Sequence, residues 1–231
     1  MSNRSNYFIP SKGPGSWKDF LAEPEKQWKT GYSARALAYC WEEAKGFPKS
    51  VSNAFSGSDI PLFHNIEFLL GIPEHKVKLP GNGPESQNDI FVLAGSGEEL
   101  IAIAVEGKVS EPFSNQSLSE WLTDASANRK VRIEGLAGIL GLAVEDLLPI
   151  KYQLIHRTAS ALLEADRFRA GHALMLVHSF SQEHKWLKDY AAFVGLYGFD
   201  AGPDPVVHVG AVNGKELYLG WVTGEEEYLY R

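Results

Sequence analysis

The sequence predicts a mixed α/β domain, an α+β arrangement in which a sheet with an antiparallel portion carries a helical cover. Three observations predict it. Gly95-Ser96-Gly97 separates two apolar runs, Asp89 to Ala94 and the Ile- and Val-rich Leu100 to Val109, as a turn separates hairpin strands. A long helical stretch, Ile150 to Phe168, leads into the apolar run Ala173 to Phe180. Near the end, Asn213-Gly214 stands between Val206 to Val212 and Glu216 to Val222. That dipeptide suits a two-residue hairpin turn, in which both residues take positive φ.

The elements follow in order. Residues 1–15, rich in Ser, Asn, Pro and Gly, read as an irregular arm, and Ser16 is expected to cap a short helix that Pro24 closes. Ser33 opens a stronger helix, with Ala34, Leu37, Ala38 and Trp41 at helical spacing and Gly46 and Pro48 at its end. Two extended segments, Ile66 to Leu70 and His75 to Leu79, are read as broken by Gly71-Ile72-Pro73. After the first hairpin the chain is ambiguous from Ser110 to Ala127, helical over Val131 to Leu142 and again over Ile150 to Phe168. The strand Ala173 to Phe180 and a helix from Gln182 to about Leu196 precede the final hairpin. This order does not describe a doubly wound parallel sheet. One domain over 1–231 is expected, with an arm and short helix over 1–32, a core over 33–180, and a helix and hairpin over 181–231.

Composition narrows the function classes. Of 231 residues 44% are hydrophobic and 22% charged, which provides a sizeable core. No run approaches the ~20 apolar residues of a membrane span. Met1 to Tyr7 are polar and lack a secretory apolar stretch, and Cys40 stands alone, so a reducing, cytoplasmic setting is expected. Cys40 reads as a buried, inert thiol. The net charge of −7 gives no global footprint for a polyanion, so any nucleic-acid role must use metal ions or a local basic patch.

The chemistry concentrates at the first hairpin. A turn near Ser96 or Gly97 pairs residues whose numbers sum to about 193–195, which sets Asp89 opposite Ala104 to Glu106. Glu106 and Lys108 leave one face of their strand together with the small Ala102 and Ala104, whereas Ile101, Ile103 and Val105 occupy the other. Two carboxylates held close repel each other unless a cation lies between them. Such hard oxygen ligands suit Mg²⁺, and a nearby Lys stabilises hydroxide or developing phosphate charge. On the helix 150–168, Gln153, Arg157 and Glu164 fall near one stripe, and Tyr152, Ile155, Ala159 and Leu162 form the expected buried side. His172, His178 and His184 match no zinc spacing, and Gly81-Asn82-Gly83 reads as a plain turn.

Asn88-Asp89, a gap of 16 residues and Glu106-Gly107-Lys108 resemble the core of the PD-(D/E)XK, or restriction-endonuclease-like, superfamily. The resemblance covers roughly residues 33–180, with Asn88 in place of the Pro. It implies an α-β-β-β-α-β core, here with extra helices and a C-terminal hairpin, and a Mg²⁺-dependent nuclease in which Mn²⁺ substitutes. Asp89, Glu106 and the Gly107 carbonyl would ligate the metal, with a further Glu from the preceding helix, Glu42 or its rival Glu43. Lys108 would position the attacking water, and Gln153 has the place of the family's Gln; if the helix 150–168 crosses the hairpin's open end, Gln153 would bind that water or a phosphate oxygen, and Arg157 a phosphate. The implied partner is nucleic acid, DNA ahead of RNA, with oligomers open. Two alternatives stand beside it: a relative that has lost catalysis and binds only, and a metal-dependent hydrolase of a small substrate.

Overall fold

The computed structural model describes residues 11–123 and 125–231. The first ten residues of the expected arm lie outside them. A 3-10 turn over Pro14–Phe20 and the short α1 over Pro24–Gln27 come first. Ser16 does not cap the first turn; its hydroxyl donates back to the Gly13 carbonyl at 2.7 Å. Pro24 opens the next turn, where its missing N–H costs nothing. Helix α2 spans Ser33–Ala44 and ends on Lys45 in the left-handed conformation. α3 over Lys49–Ser56 and α4 over Pro61–His64 follow.

Strands β1 (Glu67–Val77), β2 (Ser86–Ser96) and β3 (Glu99–Lys108) then form an antiparallel meander. The expected break at Gly71-Ile72-Pro73 is absent, and β1 runs through it with one register shift between Phe68 and Leu70. Pro73 is tolerated because β1 is an edge strand, where a missing N–H interrupts no second ladder. The ambiguous segment contains α5 (Leu118–Trp121), opened by a Ser117/Glu120 capping box. Next come α6 (Ala127–Leu140), α7 (Val144–Leu147), α8 (Tyr152–Arg167), β4 (His172–Ser179) and α9 (Leu187–Gly195). α9 starts five residues later than expected, because His184 and Trp186 take positive φ and interrupt helical winding. Strands β5 (Val206–Val212) and β6 (Lys215–Thr223) close the chain around Asn213 and Gly214, both at positive φ as the dipeptide demands.

The six strands form one mixed sheet in the order β1-β2-β3-β4-β6-β5, with β4 parallel to both β3 and β6. The fold is therefore mixed α/β. Its sheet separates two apolar layers. Ile101, Ile103 and Val105 pack with Leu37, Trp41 and Phe55 on the α2 side. Ala102 and Ala104 lie in the other layer with Ile155, Ala159 and Leu162 of α8. The small residues of β3 make room for α8, and this brings the polar residues at the helix start against the end of β3. No helix among the described residues is long and apolar enough to cross a membrane.

Candidate active site

Register assembles the site. Ile90 pairs with Val105, so the count continues to Asp89 opposite Glu106. Pro73 pairs with Ile90 and His75 with Asn88, which brackets Glu74 against Asp89. Three adjacent strands thus carry Glu74, Asp89 and Glu106 in a row across the sheet. The row borders a cleft of about 560 Å³ that Lys108, Gln153, Arg157 and the first residues of α2 also line.

Glu106 is the member with the most hydrogen-bond donors. It is 2% exposed, and Lys108 Nζ (2.7 Å) and Gln153 Nε2 (2.6 Å) both donate to its Oε1. Arg157 Nε donates to Oε2, and Arg157 Nη1 donates to Ser86 Oγ at 2.8 Å. Burial pushes the Glu106 carboxyl up, but the Arg157 and Lys108 charges outweigh it and hold the group below the usual carboxylate range. Lys108 is itself 3% exposed, and its ammonium lies 5.1 Å from the Phe113 ring centroid.

Asp89 and Glu74 behave in the opposite way. Asp89 Oδ2 accepts from the Gly107 N–H at 2.7 Å. A side chain at Gly107 would lie 3.2 Å from that same oxygen and 3.4 Å from Ser33 Cβ, so glycine lets β3, Asp89 and α2 converge. Burial and then the Glu106 charge raise Asp89 to about 7, against the pull of Arg157 and Lys108. Glu74 Oε2 accepts from Gln87 Nε2 at 2.7 Å, yet burial, Asp89 and Glu106 push its carboxyl well above the ordinary range. Its backbone is held at φ 53, a strained conformation for a residue with a side chain. One carboxylate takes both cations as ion-pair partners, and the other two feel them only at a distance.

The structure therefore brings together Asp89, Glu106, Gly107, Lys108, Gln153 and Arg157. It does not bring Glu42. Helix α2 meets the cleft with its first turn, and Glu42 lies nine residues beyond Ser33, about 13 Å along the axis at ~1.5 Å per residue. Its carboxylate instead accepts from Trp17 Nε1 at 2.8 Å and from Ser11 Oγ. Glu43 faces Arg231 at 3.5 Å. The further carboxylate that lines the cleft is Glu74. The sequence signal for it was the register of β1, hidden by treating Gly71-Ile72-Pro73 as a break.

A second polar cluster lies on the α2 side. Cys40, His178 and Glu225 bring one ligand atom each within 4.8 Å of one another. The hydrogen bonds argue against a metal there. Trp41 Nε1–H donates to His178 Nδ1 at 3.0 Å, so Nδ1 is unprotonated and the neutral ring keeps its proton on Nε2. Nε2 then donates to Ser50 Oγ at 3.2 Å, and Ser50 donates to Glu225 Oε2 at 3.0 Å. A metal on Nε2 would need a proton on Nδ1, which would face the indole N–H. For the same reason His178 cannot take the Ser50 proton as a base. Burial holds His178 down to about 3, and burial and Glu225 raise the Cys40 thiol well above its ordinary value. The inert reading of Cys40 fits this chemistry.

A family model described as a domain of unknown function (DUF6946) matches residues 10–226. The chain belongs to that family. No curated protein and no solved structure matches the chain. The DUF6946 match spans both the acidic row and the second cluster, so both belong to the family domain.

Proposed function

We propose that this chain is a divalent-metal-dependent phosphodiesterase of the PD-(D/E)XK type acting on nucleic acid, DNA ahead of RNA. The observation that carries the reading is the row Glu74–Asp89–Glu106 across three adjacent strands, with Lys108 and Gln153 beside it. The order α2, three antiparallel strands, α8 and a parallel β4 supports it.

The residues fit a hard cation such as Mg²⁺ or Mn²⁺. Asp89 and Glu74 are oxygen ligands whose ionised forms a cation would favour, and they would hold the ion with Glu106. When bound, the ion supplies the charge that both carboxyls and a transferring phosphate require. Lys108 positions a water and donates to developing negative charge. Gln153 orients the same water with its amide. The first turns of α2 and α8 stand at the cleft, and helix N-termini favour a phosphate. Arg157, committed to Glu106 and Ser86, positions the carboxylate more than it binds substrate.

One observation favours a second reading. Glu106 has three donors on its two oxygens, so the E-x-K segment also works as a buried structural ion cluster in a module that binds without cutting. The test is cleavage of plasmid DNA, single-stranded DNA and RNA with Mg²⁺ or Mn²⁺, alongside a chromogenic small phosphodiester. Metal-dependent cutting that disappears in Asp89→Asn and Lys108→Met is expected. Cutting that persists in chelator, or in Asp89→Asn, overturns the assignment. Metal uptake without cleavage of any substrate selects the binding module.

A further inference from the structure

A second pocket, of about 350 Å³, opens beside the cleft between residues 80–84 and the start of α6. The sequence Pro-Gly-Asn-Gly-Pro has the look of a plain turn, but the fold clasps it to the helix. Asn82 N–H donates to Asn128 Oδ1 at 2.7 Å, and Asn128 Nδ2 returns a bond to the Asn82 carbonyl. Arg132 donates from Nε to the Pro80 carbonyl at 3.2 Å and from Nη1 to the Pro84 carbonyl at 2.9 Å. Arg132 is 6% exposed, and its Nη2 finds no acceptor among the described residues. Gly83 makes this possible: a Cβ there would lie 2.9 Å from Arg132 Nη2.

The opposite wall repeats the pattern. Tyr152 and Trp121 are stacked 4.6 Å apart at 10°, with the Arg129 guanidinium 4.8 Å from the Trp121 ring. The Tyr152 hydroxyl is buried, and its O–H finds no acceptor among the described residues. Burial raises this phenol against a side-chain hydrogen bond from Arg132 and the charges of Arg132 and Arg157, so it stays neutral and keeps its own O–H to donate. Ser126, the N-cap of the fourteen-residue α6, stands on the rim, where the helix dipole is positive. Two buried donors without acceptors, a helix N-terminus and a second guanidinium face one small space. A ligand that only accepts hydrogen bonds, carries negative charge and presents oxygens in several directions completes it.

We propose that this pocket is a phosphate-binding subsite, which holds a phosphate of the strand next to the one in the cleft. The phosphate chemistry stands on the pocket alone, and its assignment to a nucleic-acid strand rests on the function proposed above. The two sites share α8, which gives Tyr152 to the pocket and Gln153 and Arg157 to the cleft. His156 lies between them, its ring 4.7 Å from Tyr152 and its Nδ1 2.9 Å from Ser86 Oγ, which Arg157 also reaches. Burial and the charges of Arg157, Arg132 and Lys108 keep that imidazole neutral, so it adds no competing cation.

The test is calorimetry on the full chain in chelator, with inorganic phosphate, a nucleoside 5′-monophosphate and a short single-stranded oligonucleotide. Each should bind without divalent metal. Tyr152→Phe, which keeps the aromatic stack, should weaken inorganic phosphate on the order of tenfold, the worth of one hydrogen bond to a charged group. Arg132→Lys should weaken it at least as much, and if that variant unfolds, Tyr152→Phe still decides. An oligonucleotide that binds more tightly than the mononucleotide, and loses the same factor in Tyr152→Phe, supports the strand assignment. Equal affinities overturn the strand assignment and leave a free-phosphate site. No phosphate binding, or binding indifferent to both substitutions, overturns the subsite. Cleavage assayed separately with metal reports on the proposed function, so loss of one reading does not conceal the fate of the other.

Discussion

Two buried polar clusters lie on opposite faces of the sheet, and they balance their charges differently. On the α2 side, Trp41, His178, Ser50 and Glu225 form a directional chain in which every proton has a defined acceptor and the imidazole stays neutral. On the α8 side, Glu106 takes the donors of Lys108, Gln153 and Arg157, while Asp89 and Glu74 are left raised beside it. Both clusters hold ligand-type residues at short range. Only in the second do buried carboxyls crowd one another, so that two of them are pushed up. Proximity of Cys, His and Glu is therefore a poor guide to a functional site, and an unbalanced, strained group such as Glu74 is a better one.

The contrast predicts unequal costs for breaking each cluster. Arg157→Met removes a cation from a buried carboxylate, and losing one partner of such a pair costs about 3 to 5 kcal/mol. Ser50→Ala leaves a neutral imidazole N–H without an acceptor, at about 1 to 3 kcal/mol. Urea unfolding of the two variants at neutral pH gives the comparison. Equal losses would show that Glu106 depends no more on charge than His178 does on hydrogen bonding.

Divalent ions should act on one cluster alone. A cation bound only by the folded chain adds about 2.7 kcal/mol at a hundredfold excess over its Kd. Thermal melts in Mg²⁺ or Mn²⁺ should show this gain in the wild type, in Glu42→Gln and in Cys40→Ala. Glu74→Gln and Asp89→Asn should lose it. A gain that disappears in Glu42→Gln and survives in Glu74→Gln would restore the helix carboxylate to the site and remove the strand one.

The same two residues measure how far the sequence could be read. Asp89, Glu106 and Lys108 were legible because strand period and hairpin register are local, and β2 and β3 are joined by a two-residue turn. Glu42 failed because spacing gives a helix its faces but not which end meets the sheet. Glu74 was missed because Pro73 reads as a breaker until β1 is known to be an edge strand, which is a property of the whole sheet. Likewise the polar stripe of α8 was set apart from the expected buried side. Arg157 and Glu164 are in fact buried, the latter 2.9 Å from His75 Nε2, because polar partners on β1 and β3 meet them.

The smallest figure, a slope per pH unit, separates the clusters by sign. Asp89 has its folded value raised from 3.8 to about 7. In that case the stability is full below the unfolded value and is lost as pH rises through the folded one. His178 is lowered from 6.5 to about 3, so its contribution is full above the unfolded value and is lost as pH falls through the folded one. Each group changes stability by at most about 1.4 kcal/mol per pH unit within its window. Urea midpoints in chelator from pH 4 to pH 8 should then diverge. Asp89→Asn should gain on the wild type progressively as pH rises, because it removes the charge that the cleft cannot balance. His178→Asn should be most costly at neutral pH, and its deficit should shrink as the wild type acidifies. Adding Mg²⁺ should flatten the wild-type slope attributed to Asp89, since a bound cation favours the ionised carboxylate, and should leave the His178 slope unchanged. A wild-type slope at Asp89 that Mg²⁺ leaves intact would mean that the raised carboxyl holds a proton by design, as a general acid or base, and that the cation site lies elsewhere.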